Sequence, residues 1–153
     1  MKAEQEKIKR EKEILEKENM LSELELLKNH LNPHFLFNSL NVLSSLINQN
    51  KEKAVTFVEV FADVYRYVLD VGNEPIVLLK NEIDFIQSFV YLQKIRFGDS
   101  LSVEIDIDKS LLSLFIPPLS LQELVQNAIK HNEVSAEYPL KIKLFNEGNY
   151  LVV

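Results

Sequence analysis

Two histidines stand four residues apart in LKNHLNPHFLFNSLN (residues 27–41), with Pro33 directly before the second. An imidazole titrating near neutral pH can ligate a metal, or act as a nucleophile that accepts a phosphoryl group. The metal reading is weak. A zinc-binding histidine pair on a helix carries a glutamate after its first histidine, and here that residue is Leu31. Pro33 disturbs the i,i+4 geometry, and the neighbourhood holds no third ligand. As a nucleophile, His34 has Asn38 one turn later on the same face, where an amide could orient a phosphoryl group or a water. By spacing alone, the plainer reading of His34, a polar residue on a helix flank, is favoured.

Pro33 admits two accounts. Asn32-Pro33 fits an N-cap followed by proline at the first helical position, which places His34 in a first turn that favours phosphate. Alternatively one helix runs through with a kink. Survival of the apolar period on both sides favours the kinked, continuous helix.

The elements around the histidines follow from periodicity. Residues 1–20 interleave six basic with six acidic side chains, as on a solvated helix. Ile14, Leu21, Leu24 and Leu31 fall on a heptad seam interrupted by Lys17 and Lys28, which predicts a short coiled coil. Leu36, Leu40, Leu43 and Ile47 form an apolar stripe on a helix that ends at Asn48–Lys51. A second helix carries Phe57, Phe61, Val64 and Val68 on one face and stops near Gly72-Asn73-Glu74-Pro75. A third is expected over 79–97.

Beyond Gly98 the pattern changes. LSVEIDID alternates as a half-buried strand, FIPPLS breaks the chain, and SLQELVQNAIKHN returns to helix. Ser120 and Glu123 have the spacing of a capping box at that helix start, and His131-Asn132 fits its end, with Asn132 left-handed. LKIKLF and YLVV read as strands joined through a hairpin-like turn at 146–149.

Composition bounds the function. The net charge of −6 gives no reason to expect a nucleic-acid partner. The absence of cysteine excludes disulfides, thiolate metal sites and cysteine nucleophiles. Only three glycines are present, each isolated, so the chain holds no glycine-rich phosphate loop. No apolar run approaches the ~20 residues of a spanning helix, and the N-terminus is too charged for a signal peptide. The expectation is soluble, cytoplasmic material.

LNPHFLFNSLN resembles the phosphoacceptor motif of LytS-type sensor histidine kinases, approximately Q-x-x-PHFLFN-x-LN. The similarity continues through Arg66-Tyr67, Leu79 with Glu82, and Tyr91-Leu92-Gln93-Lys94-Ile95-Arg96-Phe97. It resumes at Ile116-Pro117-Pro118 and at Gln122 to His131, which resembles the N-box of GHKL-type ATP-binding domains. This resemblance implies that His34 is autophosphorylated from ATP, with Asn38 as the motif asparagine. It implies that Asn127 binds Mg²⁺, with Lys130 and His131 near the nucleotide phosphates. Glu123, one turn before Asn127, stands where related ATPases carry a catalytic base and is also a candidate Mg²⁺ ligand. For Glu123 the base and the capping box both stay open.

Three departures qualify the match. His30 replaces the family's usual Gln, and Gln126 replaces the usual N-box Glu, removing a negative charge. The family's downstream glycine-containing boxes, its adenine-reading aspartate and its lid are expected beyond Val153, so this stretch alone should not bind ATP tightly. The expected fold is α+β: a coiled-coil signalling helix (1–26), a dimeric helical-bundle phosphoacceptor module (27–97), and part of a GHKL α/β-sandwich ATP-binding domain (98–153). The expected function is ATP-dependent autophosphorylation followed by transfer to a response-regulator aspartate. The implied partners are a second copy and a response regulator of LytTR type, with the membrane reached only through an upstream segment. The alternative is a non-catalytic dimeric scaffold, or a phosphohistidine relay phosphorylated in trans.

Overall fold

The computed structural model describes the backbone of residues 2–30 and 32–153 and the side chains of residues 4–22 and 32–153. Helix α1 spans Lys2–His30. Its exposed i,i+4 ion pairs, Lys7–Glu11, Lys9–Glu13 and Lys12–Glu16, match the charge alternation. Ile14 and Leu21 of the heptad seam are exposed. The side chains of Leu24, His30 and Leu31 lie outside the described residues. No helix of the described residues is long and apolar enough to cross a membrane.

Helices α2 (Pro33–Gln49) and α3 (Lys51–Val71) are separated by Asn50 alone. That residue serves both: its N–H donates to the Leu46 carbonyl at the end of α2, and its Oδ1 accepts from the Lys53 N–H at the start of α3. Helix α4 (Leu79–Phe97) packs on this hairpin. Phe35 of α2 is the principal wedge, its ring centroid 5.1 Å from Phe89 of α4 and 6.2 and 6.3 Å from Phe61 and Tyr65 of α3.

Strands β1 (Val77–Leu78) and β3 (Phe115–Ile116) pair antiparallel, a short contact that sequence periodicity does not reveal. This pairing supplies what α4 lacks. Helix α4 has no side-chain N-cap, and its first amides, Leu79 N–H and Lys80 N–H, donate to the carbonyls of Leu114 and Leu112. Helix α4 ends at Gly98, whose φ of 56° suits glycine best.

Strand β2 (Leu101–Asp106) runs parallel to β4 (Leu140–Glu147), in register from Leu101–Leu140 to Asp106–Phe145. Helix α5 (Ser120–Lys130) makes the crossover between them, and β5 (Tyr150–Val152) returns antiparallel on β4. Leu121 and Val125 of α5 are buried, and the buried apolar residues from Phe35 to Leu144, Ala54 apart, belong to one continuous cluster.

Glu82 ties these parts together. It has no solvent exposure, and its Oε1 accepts from the Tyr67 hydroxyl (2.8 Å) and the Leu119 N–H (2.9 Å). Leu119 has a φ of 61°, the one positive φ of a described non-glycine residue. That left-handed conformation costs a leucine energy, and the bond to Glu82 offsets it at the residue immediately before α5. Burial, and then the Glu82 carboxylate, push the Tyr67 phenol well above its ordinary value.

Replacing Glu82 with Ala strands the Tyr67 hydroxyl and the Leu119 amide, each at a cost of about 1–3 kcal/mol. Urea unfolding should therefore show a larger loss for Glu82→Ala than for Tyr67→Phe. Equal losses would mean that the Leu119 bond contributes nothing. The Tyr65 hydroxyl is buried without a hydrogen-bond partner, and burial raises its pKa to about 12. Tyr65→Phe is expected to be neutral or stabilising at pH 7. Above about pH 10 the unfolded phenol loses its proton before the folded one does, so stability falls as pH rises from ~10 through ~12. Chemical denaturation at pH 8 and pH 11 should show a shallower decline in Tyr65→Phe than in the parent.

Candidate functional site

The structure selects between the two accounts of Pro33. Helix α1 ends at His30 and α2 begins at Pro33, so the expected continuous, kinked helix is corrected to two helices with a cap between them. The reason is local. Asn32 is extended enough (φ −58°, ψ 107°) for its Oδ1 to accept from the N–H groups of His34 (3.0 Å) and Phe35 (3.3 Å), while Pro33 has no N–H to satisfy. The Leu36 N–H then makes the first helical bond, to the Asn32 carbonyl. The first-turn amides of α2 are therefore taken by Asn32.

His34 is exposed, while its neighbour Phe35 is buried in the aromatic cluster. The histidine thus rides on a rigidly anchored turn. Asn38 Nδ2 lies 3.1 Å from His34 Nδ1 and 3.3 Å from Nε2. The Asn38 amide thus lies against the imidazole one turn away and limits how the ring can turn.

Helix α5 presents Glu123, Gln126, Asn127 and Lys130 away from its buried Leu121–Val125 side. They line a cleft of about 420 Å³ with Asn32, Leu119 and Gln122. Of the two readings left open for Glu123, the capping box does not form: Leu119 precedes the helix, the Ser120 hydroxyl donates to the Pro117 carbonyl, and the Glu123 N–H donates to the Leu119 carbonyl. The left-handed Leu119 puts Ser120 inside the helix rather than at its cap, and the Glu123 carboxyl is left exposed at the cleft. At the other end, Asn132 is not left-handed; its Nδ2 donates to the Ala128 carbonyl (2.7 Å) and closes the helix through its side chain. Gln126 accepts from the Gln122 amide at 3.1 Å, a role its amide oxygen fills without a charge.

A second cleft, of about 450 Å³, is lined by Asn32, His34, Phe35, Gln93, Arg96, Phe97, Gln126, Ile129 and Lys130. Asn32, Gln126 and Lys130 line both clefts, so the two share a wall. His131, exposed at the C-cap of α5, lines neither of them. The tertiary fold thus brings His34 and the Lys130 end of α5 to one cavity, although ninety-six positions separate them in the chain. Glu123 and Asn127 line only the first cleft, and Asn38 sits beside the second in a small gap with Gln93 and Arg96.

Gln93 and Arg96 enter the sequence reading only within a matched stretch, with no role of their own. The signal that could have found them is their spacing: three residues apart in the last turns of α4, they share a face, and α4 aims that face at His34. Arg96 packs over the Phe97 ring at 4.7 Å, and burial lowers its pKa. As for Mg²⁺ and ATP, Asn127 and Glu123 offer exposed side-chain oxygens one turn apart. That suits a Mg²⁺ ion that takes its other ligands from water and phosphate, with Lys130 one turn further as a phosphate cation.

Comparison with known proteins bears on this geometry. The family model described as histidine kinase matches residues 22–101, a stretch holding His34, Asn38, Gln93 and Arg96. The LytS sensor protein of Staphylococcus saprophyticus is 32% identical over 117 residues, 76% of this chain and 20% of that protein. The LytS sensor protein of Oceanobacillus iheyensis is 36% identical over 105 residues, 69% of this chain and 18% of that protein. The sensor histidine kinase BtsS of Escherichia coli strain K12 is 36% identical over 134 residues, 86% of this chain and 24% of that protein. The chain therefore spans about a fifth to a quarter of the length of these relatives. With its exposed, amide-oriented histidine at the start of a capped helix, the chain belongs to the histidine kinase family, among the LytS-type sensor kinases.

Proposed function

We propose that His34 is the phosphoacceptor of a two-component sensor kinase, phosphorylated from ATP and then donating to an aspartate of a response regulator. The observation that carries this reading is the shared cavity of His34 and Lys130, with Asn127 in the adjoining cleft. The ring nitrogen bearing the lone pair forms a P–N bond as the γ-phosphate's bond to ADP breaks. The proton on the opposite nitrogen then leaves. Asn127 would hold Mg²⁺ and Lys130 would neutralise phosphate, which is the positioning and charge balance that phosphoryl transfer requires. Glu123 lies with Asn127 rather than with His34, so of its two candidate roles a Mg²⁺ ligand suits its place better than a base for His34. His131, at the exposed end of α5, is assigned only to the outer approach of the nucleotide phosphates.

Dimerisation belongs to the same reading. Phe37, Leu40 and Ile47 on α2, and Val55, Val58 and Leu69 on α3, are exposed apolar side chains at helical spacing on the hairpin. A second copy covering them completes a four-helix bundle, with α1 as a coiled coil bringing the signal from upstream. On this reading the chain lies on the cytoplasmic side of a membrane-anchored kinase, with a LytTR-type regulator downstream.

The test mixes the chain with an intact ATP-binding domain from a LytS-type kinase and labelled ATP. Acid-labile, base-stable label is expected on the parent chain and only background on His34→Gln; undiminished label on His34→Gln would sink the assignment. In the same assay, Asn127→Ala introduced into the ATP-binding domain at the matching position should raise the Mg²⁺ needed for half-maximal labelling. Asn127→Ala in the chain itself should leave direct chemical phosphorylation of His34 by phosphoramidate unchanged.

A further inference from the structure

A phosphoryl group on His34 brings up to two negative charges and three strong acceptor oxygens to the start of α2. Backbone amides of a helix start commonly meet such a charge, but here Asn32 already takes the His34 and Phe35 amides. Side chains must supply the remaining donors. Among the described residues, the cleft around His34 is lined by two cations, Arg96 and Lys130, and by no carboxylate. Its other polar members are the amides of Asn32, Gln93 and Gln126.

We propose that Arg96, on the last turn of α4, is the residue that binds the phosphoryl group carried by His34, with Lys130 closing the cleft from α5. This assignment rests on His34 being the phosphoacceptor. Three features support it. Arg96 has its guanidinium over the Phe97 ring, which holds the planar fork in place. Arg96 is an exposed side chain, and it forms no ion pair with a carboxylate among the described residues. A guanidinium without a carboxylate partner at the rim of an open cleft can engage an incoming dianion through two N–H groups at once. Gln93, one turn before Arg96 and only 6% exposed, lines the same cleft and is held by the packing of α4. The phosphohistidine is thus read by α4, on which Glu82 also sits.

The experiment phosphorylates the whole chain with phosphoramidate, which needs no ATP site: the imidazole nitrogen forms the P–N bond and ammonia leaves. The His34 signal is identified in the ³¹P NMR spectrum by its absence in His34→Gln, and its chemical shift is titrated against pH. A nearby cation favours the dianion, so the parent midpoint should lie below that of free phosphohistidine. In Arg96→Gln it should rise by on the order of one pH unit, and Arg96→Lys should recover part of the difference. Circular dichroism of each variant checks that α4 is intact. A midpoint that is the same in the parent, Arg96→Gln and Arg96→Lys overturns the role of Arg96 while leaving His34 as the phosphoacceptor. Absence of His34 label in the parent would overturn both.

Discussion

One buried carboxylate holds the arrangement on which the rest depends. Glu82 lies on α4, and its Oε1 takes the Tyr67 hydroxyl from α3 and the Leu119 amide from the segment that launches α5. A fully buried acid is expensive unless its hydrogen bonds are made; here Oε1 makes two, while Oε2 is buried without a partner among the described residues. One bond reaches back 15 positions to α3 and the other forward 37 positions to Leu119, so the acid is stable only when the helical hairpin and the crossover helix are docked together. The left-handed Leu119 depends on the same docking: a strained backbone persists where surrounding structure over-determines it.

The pairing of β1 with β3 works in the same direction. The carbonyls of Leu112 and Leu114 satisfy the first amides of α4, so the start of α4 is completed by residues some thirty positions downstream. With α4 fixed at its start by these bonds and at its middle by Phe89 against Phe35, its last turn has little freedom. That last turn delivers Gln93 and Arg96 to the cleft that holds His34, and α5 delivers Lys130 to the same cleft. The site is thus assembled from three helix segments whose placement is secured by hydrogen bonds outside the site.

Much of this is legible from residue order. The third helix is expected over 79–97 and is found over Leu79–Phe97; the alternation of LSVEIDID becomes β2, and the hairpin turn expected at 146–149 is found at 148–149, between β4 and β5. Such segments announce themselves because burial on one face imposes a period on the chain. Capping is where sequence reasoning fails. Periodicity favours a kinked, continuous helix around Pro33, because an apolar period cannot register a side chain such as Asn32 turning back on its own backbone. Ser120 and Glu123 have the right spacing for a capping box, but the preceding Leu119 is left-handed, a conformation no sequence rule assigns to leucine. Asn132 likewise closes α5 through its side chain rather than through its backbone conformation.

The sequence by itself determined the elements, the PHFLFN motif with His34 and Asn38, and the polar face of α5 that carries Glu123, Asn127 and Lys130. These are properties of local spacing, and local spacing is what a helix converts directly into a face. The tertiary structure decided which faces meet. It alone placed Lys130 and Arg96 around His34, set Asn127 one cleft away, and made a buried acid of Glu82. The physical reason is that docking of α4 and α5 depends on hydrogen bonds and packing between residues tens of positions apart, and no periodicity along a chain records such a pairing.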